Sequence, residues 1–312
     1  MARWRVVISE FMDEEALTRF GAEVSVFYDP TLVEDRPSLL AAVAEVDALI
    51  VRNRTRVDAE VLEAAPRLRV IGRLGVGLDN IDLNACAVRG VTVRPATGAN
   101  TLSVAEYVIA AMLMLVRGCF DARAQMEAGD WPRTSLIGGE IAGRRLGLLG
   151  YGEIARAVAE RARALGMEIA AHDPYLPADH PAWNGVARCD FGNLLVSADV
   201  LSLHVPMTPE TRGLIGQTEL ARMKPGAVLI NTARGGVIDE EALAAALRRG
   251  DLAGAALDVF AQEPLTAEAA QKFAGLKNIF LTPHVAGVTT EGNGRVSRLT
   301  VENVIGELKR LE

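Results

Sequence analysis

Cysteine is scarce in this chain, with three in 312 residues, at Cys86, Cys119 and Cys189. They are far apart, odd in number and form no CxxC pair. That excludes a disulfide framework and a thiolate metal knuckle, and it points to a reducing, cytoplasmic compartment. Long apolar runs are missing as well. Tyr107–Val116 is ten residues long, whereas a membrane span needs roughly 20. The opening MARWRVVISEFMDEE has no apolar signal core. There is no excess of positive charge: 33 Lys and Arg against 40 Asp and Glu leave −7. With no basic cluster, neither nucleic acid nor an anionic membrane is an expected partner. Gly and Pro, 29 and 13 residues, are near average usage, which excludes disordered and collagen-like classes. What remains is an ordinary globular composition, half apolar and 23% charged, long enough for about two domains with large cores.

Short β-branched runs alternate with helical periods. Val6–Ser9, Val24–Phe27, Ala48–Val51, Val70–Ile71 and Val91–Val93 read as strands. Glu14–Phe20, Pro37–Val43, Ala59–Ala65 and Leu83–Val88 read as helices between them. Asn100–Val116 reads as a helix that is apolar on nearly every face, so it is expected to be covered at a domain junction and by a partner subunit. A second series follows, with strands at Leu146–Leu149, Glu168–Ala171, Val200–Leu203, Val228–Ile230, Ala255–Leu257 and Ile279–Leu281. Its clearest helices are Ile154–Leu165, Glu219–Met223 and Glu240–Arg248, and Glu291–Arg310 closes the chain as a long amphipathic helix. This βαβ rhythm predicts α/β architecture with parallel sheets.

Three Gly-x-Gly triplets occur, and one of them has the context of a dinucleotide site. RRLGLLGYGEIARAVAERARALGMEIAAHDPY runs strand, glycine turn, helix, strand, acid. Gly150 permits the tight turn, Gly152 admits a pyrophosphate against the backbone, and Ala155 supplies the third small position. The following helix start offers free N–H groups to phosphate. Asp173, 23 residues past Gly150, can accept from ribose hydroxyls and would repel a 2′-phosphate, which favours NAD over NADP. Gly75/Gly77 and Gly292/Gly294 read as turns, the former a place for a substrate loop after a strand.

Proton transfer near neutral pH most often uses histidine, and there are four: His172, His180, His204 and His284. His180 lies in a Pro/Ala-rich loop, His172 precedes Asp173, and His204 and His284 follow strands. Residue type alone does not choose among them.

The segments GRLGVGLDNID, ANTLSVAEYV, GLLGYGEIA with Asp173, INTARGGVID, LDVFAQEPL and TPHVAG occur in order over nearly the whole chain. Together they resemble the D-2-hydroxyacid dehydrogenase family and, within it, the catalytic cores of 3-phosphoglycerate dehydrogenases. The resemblance implies that Arg234 binds substrate, Glu263 orients the histidine, and His284 is the general acid/base. It implies NAD contacts at Gly150, Tyr151, Gly152, Glu153, Ile154, Asp173, His204, Thr232 and Ala233, with Asp258 meeting the nicotinamide carboxamide. Substrate contacts are implied at Arg52, Asn53, Arg73, Val76, Gly77 and Arg133, the last able to reach a neighbouring subunit. Asn53 departs from the Ser frequent in phosphoglycerate enzymes, and Arg54 is an added charge.

The chemistry suits these residue types. Reducing a 2-keto acid puts hydride on C2 and a proton on the new alkoxide. An imidazolium can give that proton, and a neighbouring carboxylate stabilises the imidazolium. A guanidinium fork grips a carboxylate and polarises the carbonyl. The resemblance further implies a Rossmann-type NAD domain, 99–284, inserted into a flavodoxin-like substrate domain, 1–98 plus 285–312, and a homodimer. The expected activity is NAD-dependent oxidoreduction of a small D-2-hydroxy acid with a second anionic group, as in 3-phosphoglycerate; sulfolactate dehydrogenation is an alternative. Hydroxypyruvate or glyoxylate reduction is an alternative, and a non-catalytic NAD-sensing regulator is an alternative of another class. No metal is expected.

Overall fold

The computed structural model describes residues 2–311. Residues up to 100 carry strands β1 (Trp4–Ile8), β2 (Val24–Tyr28), β3 (Ala48–Val51), β4 (Val70–Arg73) and β5 (Thr92–Pro95), with helices α1 (Arg36–Ala42), α2 (Ala59–Ala64) and α3 (Leu83–Val88). There follow α4 (Thr101–Arg117), α5 (Arg123–Glu127), β6 (Arg145–Leu149), α6 (Glu153–Ala164), β7 (Glu168–His172), β8 (Ala187–Arg188), α7 (Phe191–Ser197) and β9 (Val200–Leu203). Then come α8 (Gln217–Arg222), β10 (Ala227–Asn231), α9 (Glu240–Arg249), β11 (Leu252–Leu257), α10 (Ala267–Ala270), β12 (Ile279–Leu281) and finally α11 (Thr290–Arg310).

The structure divides into two compact units. One comprises the chain through Asn100 together with the segment from Val288, and the other is Thr101–Gly287. In the first, the strands pair in parallel in the order β2-β1-β3-β4-β5, the flavodoxin-like doubly wound order. In the second, the order is β12-β11-β10-β9-β6-β7-β8, again parallel. Counted from β6 this is the Rossmann order with one strand added at the far edge. The central strands are largely apolar and buried on both faces, as β3 and β9 show, with Ser202 the one polar residue of the two, because helices cover both sides of each sheet. In the second unit, Leu201, Leu203, Leu229 and Leu257 face one apolar layer, with α7, α8 and α9. Val200, Val228, Ile230 and Ala256 face the other, with α4 and α6.

Local chemistry sets the helix starts. The side chains of Asp35, Asp58, Asp82, Asp190, Asp239 and Thr289 each accept a backbone N–H two or three residues into the helix they precede, satisfying donors a helix start leaves open. Gly72 lets α11 press on β4, since a Cβ there would lie 2.6 Å from the Val304 side chain.

The structure corrects several sequence expectations. Glu14–Phe20 is a 3₁₀ helix. Gly292 and Gly294 lie in the first turns of α11, because the Thr289 hydroxyl caps the chain there and starts the helix before the glycines. α5, α7, α10 and the two-residue β8 are additional; they are too short or too irregular in pattern to show a clear period. Among the described residues, no helix is long and apolar enough to cross a membrane.

Candidate active site

In a parallel doubly wound sheet, ligands bind beyond the carboxyl ends of the strands, near the point where strand order reverses. In the second unit that point is between β6 and β9. The sequence-selected residues there all lie at or just past such ends: Gly150 after β6, Asp173 after β7, His204 after β9, Thr232–Arg234 after β10, Asp258 after β11 and His284 after β12.

The glycine turn is built as the spacing requires. Gly150 has φ +86°, a left-handed conformation natural to glycine. A Cβ on it would lie 2.7 Å from the His204 carbonyl oxygen. Gly152 caps α6 without any side-chain acceptor, and a Cβ there would meet nothing within 4 Å. Ala155 is fully buried against the sheet. Tyr151 is buried and its ring stacks on Trp183 at 5.2 Å, so it contributes packing and a backbone N–H. Glu153 is exposed and accepts from the Thr101 hydroxyl at 3.2 Å, while Ile154 is half-buried.

After β10 the chain turns tightly. The Asn231 amide accepts from Ala233 N–H at 3.0 Å and donates to the Arg234 carbonyl at 2.9 Å. The Arg234 guanidinium is half-buried and donates to the Ala233 carbonyl at 2.6 Å. Gly235 presses on the next loop so closely that a Cβ would lie 1.7 Å from the Phe260 carbonyl oxygen. That next loop carries Glu263. One of its oxygens accepts Phe260 N–H at 3.0 Å, and the other lies 2.8 Å from His284 Nδ1. The loop is braced from below by the buried Glu240, which accepts Ala261 N–H at 2.6 Å and pairs with Lys272 at 3.0 Å.

Burial works to raise the Glu263 pKa, but the contacts from His284 and from Phe260 N–H, with the nearby Arg234 charge, outweigh it and hold the carboxyl below its usual value. An ionised carboxylate only accepts, so the shared proton sits on Nδ1 and leaves Nε2 available for chemistry. His284 has φ +57°, the one non-glycine in that region among the described residues. Such strain costs about 1–3 kcal/mol and persists only where the surroundings over-determine it.

Residues 109–286 match the family model described as "D-isomer specific 2-hydroxyacid dehydrogenase, NAD binding domain".

The chain belongs to the D-isomer specific 2-hydroxyacid dehydrogenase family. It is an NAD-dependent oxidoreductase acting on 2-hydroxy acids. It is 55% identical to "(S)-sulfolactate dehydrogenase" of Chromohalobacter salexigens over 96% of each chain. It is 40% identical to "D-3-phosphoglycerate dehydrogenase" of Archaeoglobus fulgidus over 98% of this chain, which spans 58% of that relative's length. Among solved structures, the TT0316 protein of Thermus thermophilus is similar with a TM-score of 0.87 and 36% identity, covering 98% of this chain and 97% of that one.

The second unit of this dehydrogenase fits NAD on its own geometry. The uncapped α6 start, with open space at Gly152, suits a pyrophosphate. The Thr232 hydroxyl is buried without a hydrogen-bond partner, the kind of orphan a bound cofactor would satisfy. Asp173 is more committed than its sequence position suggests. One oxygen accepts Tyr151 N–H at 2.9 Å, and the other accepts Tyr175 and Leu176 N–H at 2.9 and 3.1 Å. A carboxylate offers about four acceptor positions, so one remains for a ribose hydroxyl while the others shape the glycine turn. Asp258 is similarly committed, to the loop that carries His284.

The other histidines have structural partners. His204 Nε2 lies 3.0 Å from the Ser202 hydroxyl, and desolvation pushes its pKa down to about 4, so it stays neutral. His172 Nδ1 meets the Cys189 carbonyl at 3.0 Å. His180 caps a 3₁₀ turn through Ala182 N–H.

Arg52, Asn53, Arg73, Val76 and Gly77 belong to the first unit, at and beyond the ends of β3 and β4. Arg52 lies over the Phe11 ring and donates to Asn293 Oδ1 at 2.9 Å. Its loop is gripped from both sides. The buried Glu10 carboxylate accepts the N–H groups of Arg52, Arg54 and Thr55 at 2.8–3.1 Å. Asn80 donates to the Arg52 and Thr55 carbonyls. Arg73 donates to the Leu74 carbonyl at 2.8 Å. Asn53 and Val76 are exposed, and Arg54 pairs with Glu34. Arg133 belongs to the second unit and is exposed. Sequence reasoning missed Glu10, Asn80, Asn231, Gly235 and Glu240. Of these only Gly235 carried a visible signal, as the first glycine of a doublet beside Arg234.

Proposed function

We propose that this dehydrogenase interconverts a 2-hydroxy acid bearing a second anionic group, of the sulfolactate kind, with its 2-keto acid. The observation that carries this reading is the high identity with the sulfolactate enzyme along essentially the full length of both chains. Arg52 and Arg73, at the strand ends of the first unit, are of the residue type that binds such an anion.

NAD, when bound, would supply the hydride acceptor for oxidation at C2. Arg234 grips the substrate carboxylate through its planar fork and polarises the C2 oxygen. His284 Nε2 accepts the hydroxyl proton during oxidation and returns it during reduction. Glu263 keeps Nδ1 protonated and stabilises the imidazolium, and neither side chain is sealed from substrate, being 37% and 32% exposed for His284 and Glu263.

The same reading extends to a homodimer in the cytoplasm. α4 leaves Leu102, Leu113 and Met114 in solvent, and the following segment exposes Phe120, Trp131 and Ile137. Apolar area of that kind is usually covered by a partner. The three cysteines are free thiols, which suits a reducing compartment. Sedimentation of the purified chain checks the dimer, and a monomer at micromolar concentration removes it.

The substrate test is nicotinamide absorbance with a panel run in both directions. Sulfolactate and 3-phosphoglycerate stand against glycerate and lactate, with hydroxypyruvate and glyoxylate as keto acids. The expected result is the highest kcat/KM with sulfolactate. Equal or faster turnover of hydroxypyruvate without a second anion favours the reductase reading. NAD binding with no turnover of any member overturns the catalytic roles.

A further inference from the structure

His284 combines two features that need explanation: it holds an uncommon left-handed backbone, and its ring must be steady for proton transfer. The grip on its loop comes from one side chain, Asp258, which is buried. One carboxylate oxygen accepts the Thr282 hydroxyl at 2.6 Å and Val285 N–H at 2.8 Å, and the other accepts Ala286 N–H at 2.8 Å. The Asp258 carbonyl takes His284 N–H itself at 2.8 Å. Four residues of the loop, on both sides of the imidazole, are therefore tied to a single residue after β11.

The tie continues outward. The Thr282 hydroxyl has one proton, and it is committed to Asp258. Its second contact, Tyr107 of α4 at 2.6 Å, must then be the donor. The direction Tyr107 to Thr282 to Asp258 follows from counting protons. Burial, stronger than the opposing contact with Thr282, pushes the Tyr107 phenol up, so the donor stays in place across the working range.

We propose that Tyr107, Thr282 and Asp258 form a positioning relay that fixes the His284 loop in its left-handed conformation. The role rests on His284 being the acid/base group. None of the three need touch the reacting atoms, so they are positioning residues. Loss of the Tyr107 or Thr282 hydroxyl changes how well the imidazole is placed more than how well NAD is held. A misplacement of about 1 Å at such a group can cost about 100-fold in rate.

The experiment uses the full chain with its best 2-hydroxy acid, and compares wild type with Thr282→Val, Thr282→Ser, Tyr107→Phe and His284→Ala. The expected result for Thr282→Val is a kcat lower by about 10- to 100-fold, with the Kd for NAD within about threefold. Thr282→Ser keeps the hydroxyl and should recover kcat to within about threefold, and Tyr107→Phe should lose several-fold. The relay is overturned if Thr282→Val turns over like wild type, if NAD affinity falls in step with kcat, or if Thr282→Ser is as slow as Thr282→Val. A His284→Ala enzyme that still turns over overturns instead the acid/base reading on which the relay depends. An inactive His284→Ala beside a normal Thr282→Val overturns the relay alone.

Discussion

The Glu263 carboxylate lies 2.8 Å from Nδ1 of His284, although 21 residues separate them. The two loops that carry them follow adjacent strands, β11 and β12. The consequence is a histidine whose proton-bearing nitrogen is assigned by its neighbour and whose other nitrogen is left for substrate.

His284→Ala should lower turnover by about 10²–10⁴-fold, the usual worth of positioned proton transfer, while NAD affinity changes little. Glu263→Gln is more informative. Glutamine can still accept from Nδ1, so the tautomer survives while the charge is lost. Keto-acid reduction should then fail at a lower pH than in wild type, because nothing holds the imidazolium. The Glu263 carboxyl sits below its usual value in the fold. Its contribution to stability is thus complete above the ordinary carboxylate range and lost as pH falls below it, through the lowered folded value. A pH–rate profile for reduction checks both variants, and an unmoved basic limb in Glu263→Gln would count against the carboxylate's role.

Asp173→Ala should weaken NAD and improve the relative use of NADP, since the acid that repels a 2′-phosphate is gone. The structure adds a second consequence. The same carboxylate holds the N–H groups of Tyr151, Tyr175 and Leu176, so the variant should also melt lower, by about 1–3 kcal/mol of lost hydrogen bonding to a charged group. Asp173→Asn separates the two effects, because it retains one acceptor for the backbone. An unchanged NAD to NADP ratio in both would remove the ribose assignment.

Much of this fold was legible because parallel strands buried on both faces read as apolar runs, and β3 and β9 match their predicted spans to the residue, as does the part-exposed edge strand β12. The glycine turn was legible for a different reason: backbone approach leaves a residue-type signature, and Gly150 and Ala155 carry it. The trio of Arg234, Glu263 and His284 was not derivable from pattern alone. Its members are ordinary residue types in loops, and only the ordered resemblance selected them. What stayed hidden were side chains that hold backbone. Glu10 looks like any surface acid after a strand, yet it is buried under three N–H groups. Glu240 sits at the start of α9, where an acid is expected merely for the helix dipole, yet it braces the Glu263 loop. Such roles depend on where distant segments return, which periodicity does not encode. The same limit placed Gly292 and Gly294 in a turn when they begin α11.

Glu307 gives a stability prediction away from the site. It is buried on α11 and accepts from Arg94 of β5 at 3.0 Å and from Arg310 at 3.1 Å. The Arg310 contact, then burial working against it, then the Arg94 contact leave its pKa lowered to about 2. A depressed folded value means the stabilisation is complete above the ordinary carboxylate value and is lost as pH falls toward 2. Glu307→Gln should lower the melting temperature at pH 7, and its stability should depend less on pH between about 5 and 2 than that of wild type. Both arginines are half-exposed and can rehydrate, which limits the cost to about 1–3 kcal/mol. Parallel melting curves across that pH range decide it; identical slopes would show that the pair contributes nothing.

The two glycines of the cofactor turn should respond differently to alanine. Gly150 combines φ +86° with a Cβ position 2.7 Å from the His204 carbonyl oxygen, so Gly150→Ala must shift backbone and should destabilise by about 1–3 kcal/mol. Gly152 has φ −74° and open space where a Cβ would go. Alanine is therefore sterically free there in the protein without cofactor, and the melting temperature of Gly152→Ala should stay within a degree or two of wild type, as for a neutral surface change. The methyl would nonetheless stand at the start of α6, where a pyrophosphate must approach the N–H groups closely. NAD affinity should fall by about tenfold or more, an energetic cost of about 1.4 kcal/mol per decade. Thermal melting of both variants with and without NAD provides the measurement. A Gly152→Ala protein that gains as much melting temperature from NAD as wild type would mean that the cofactor does not pass over this turn.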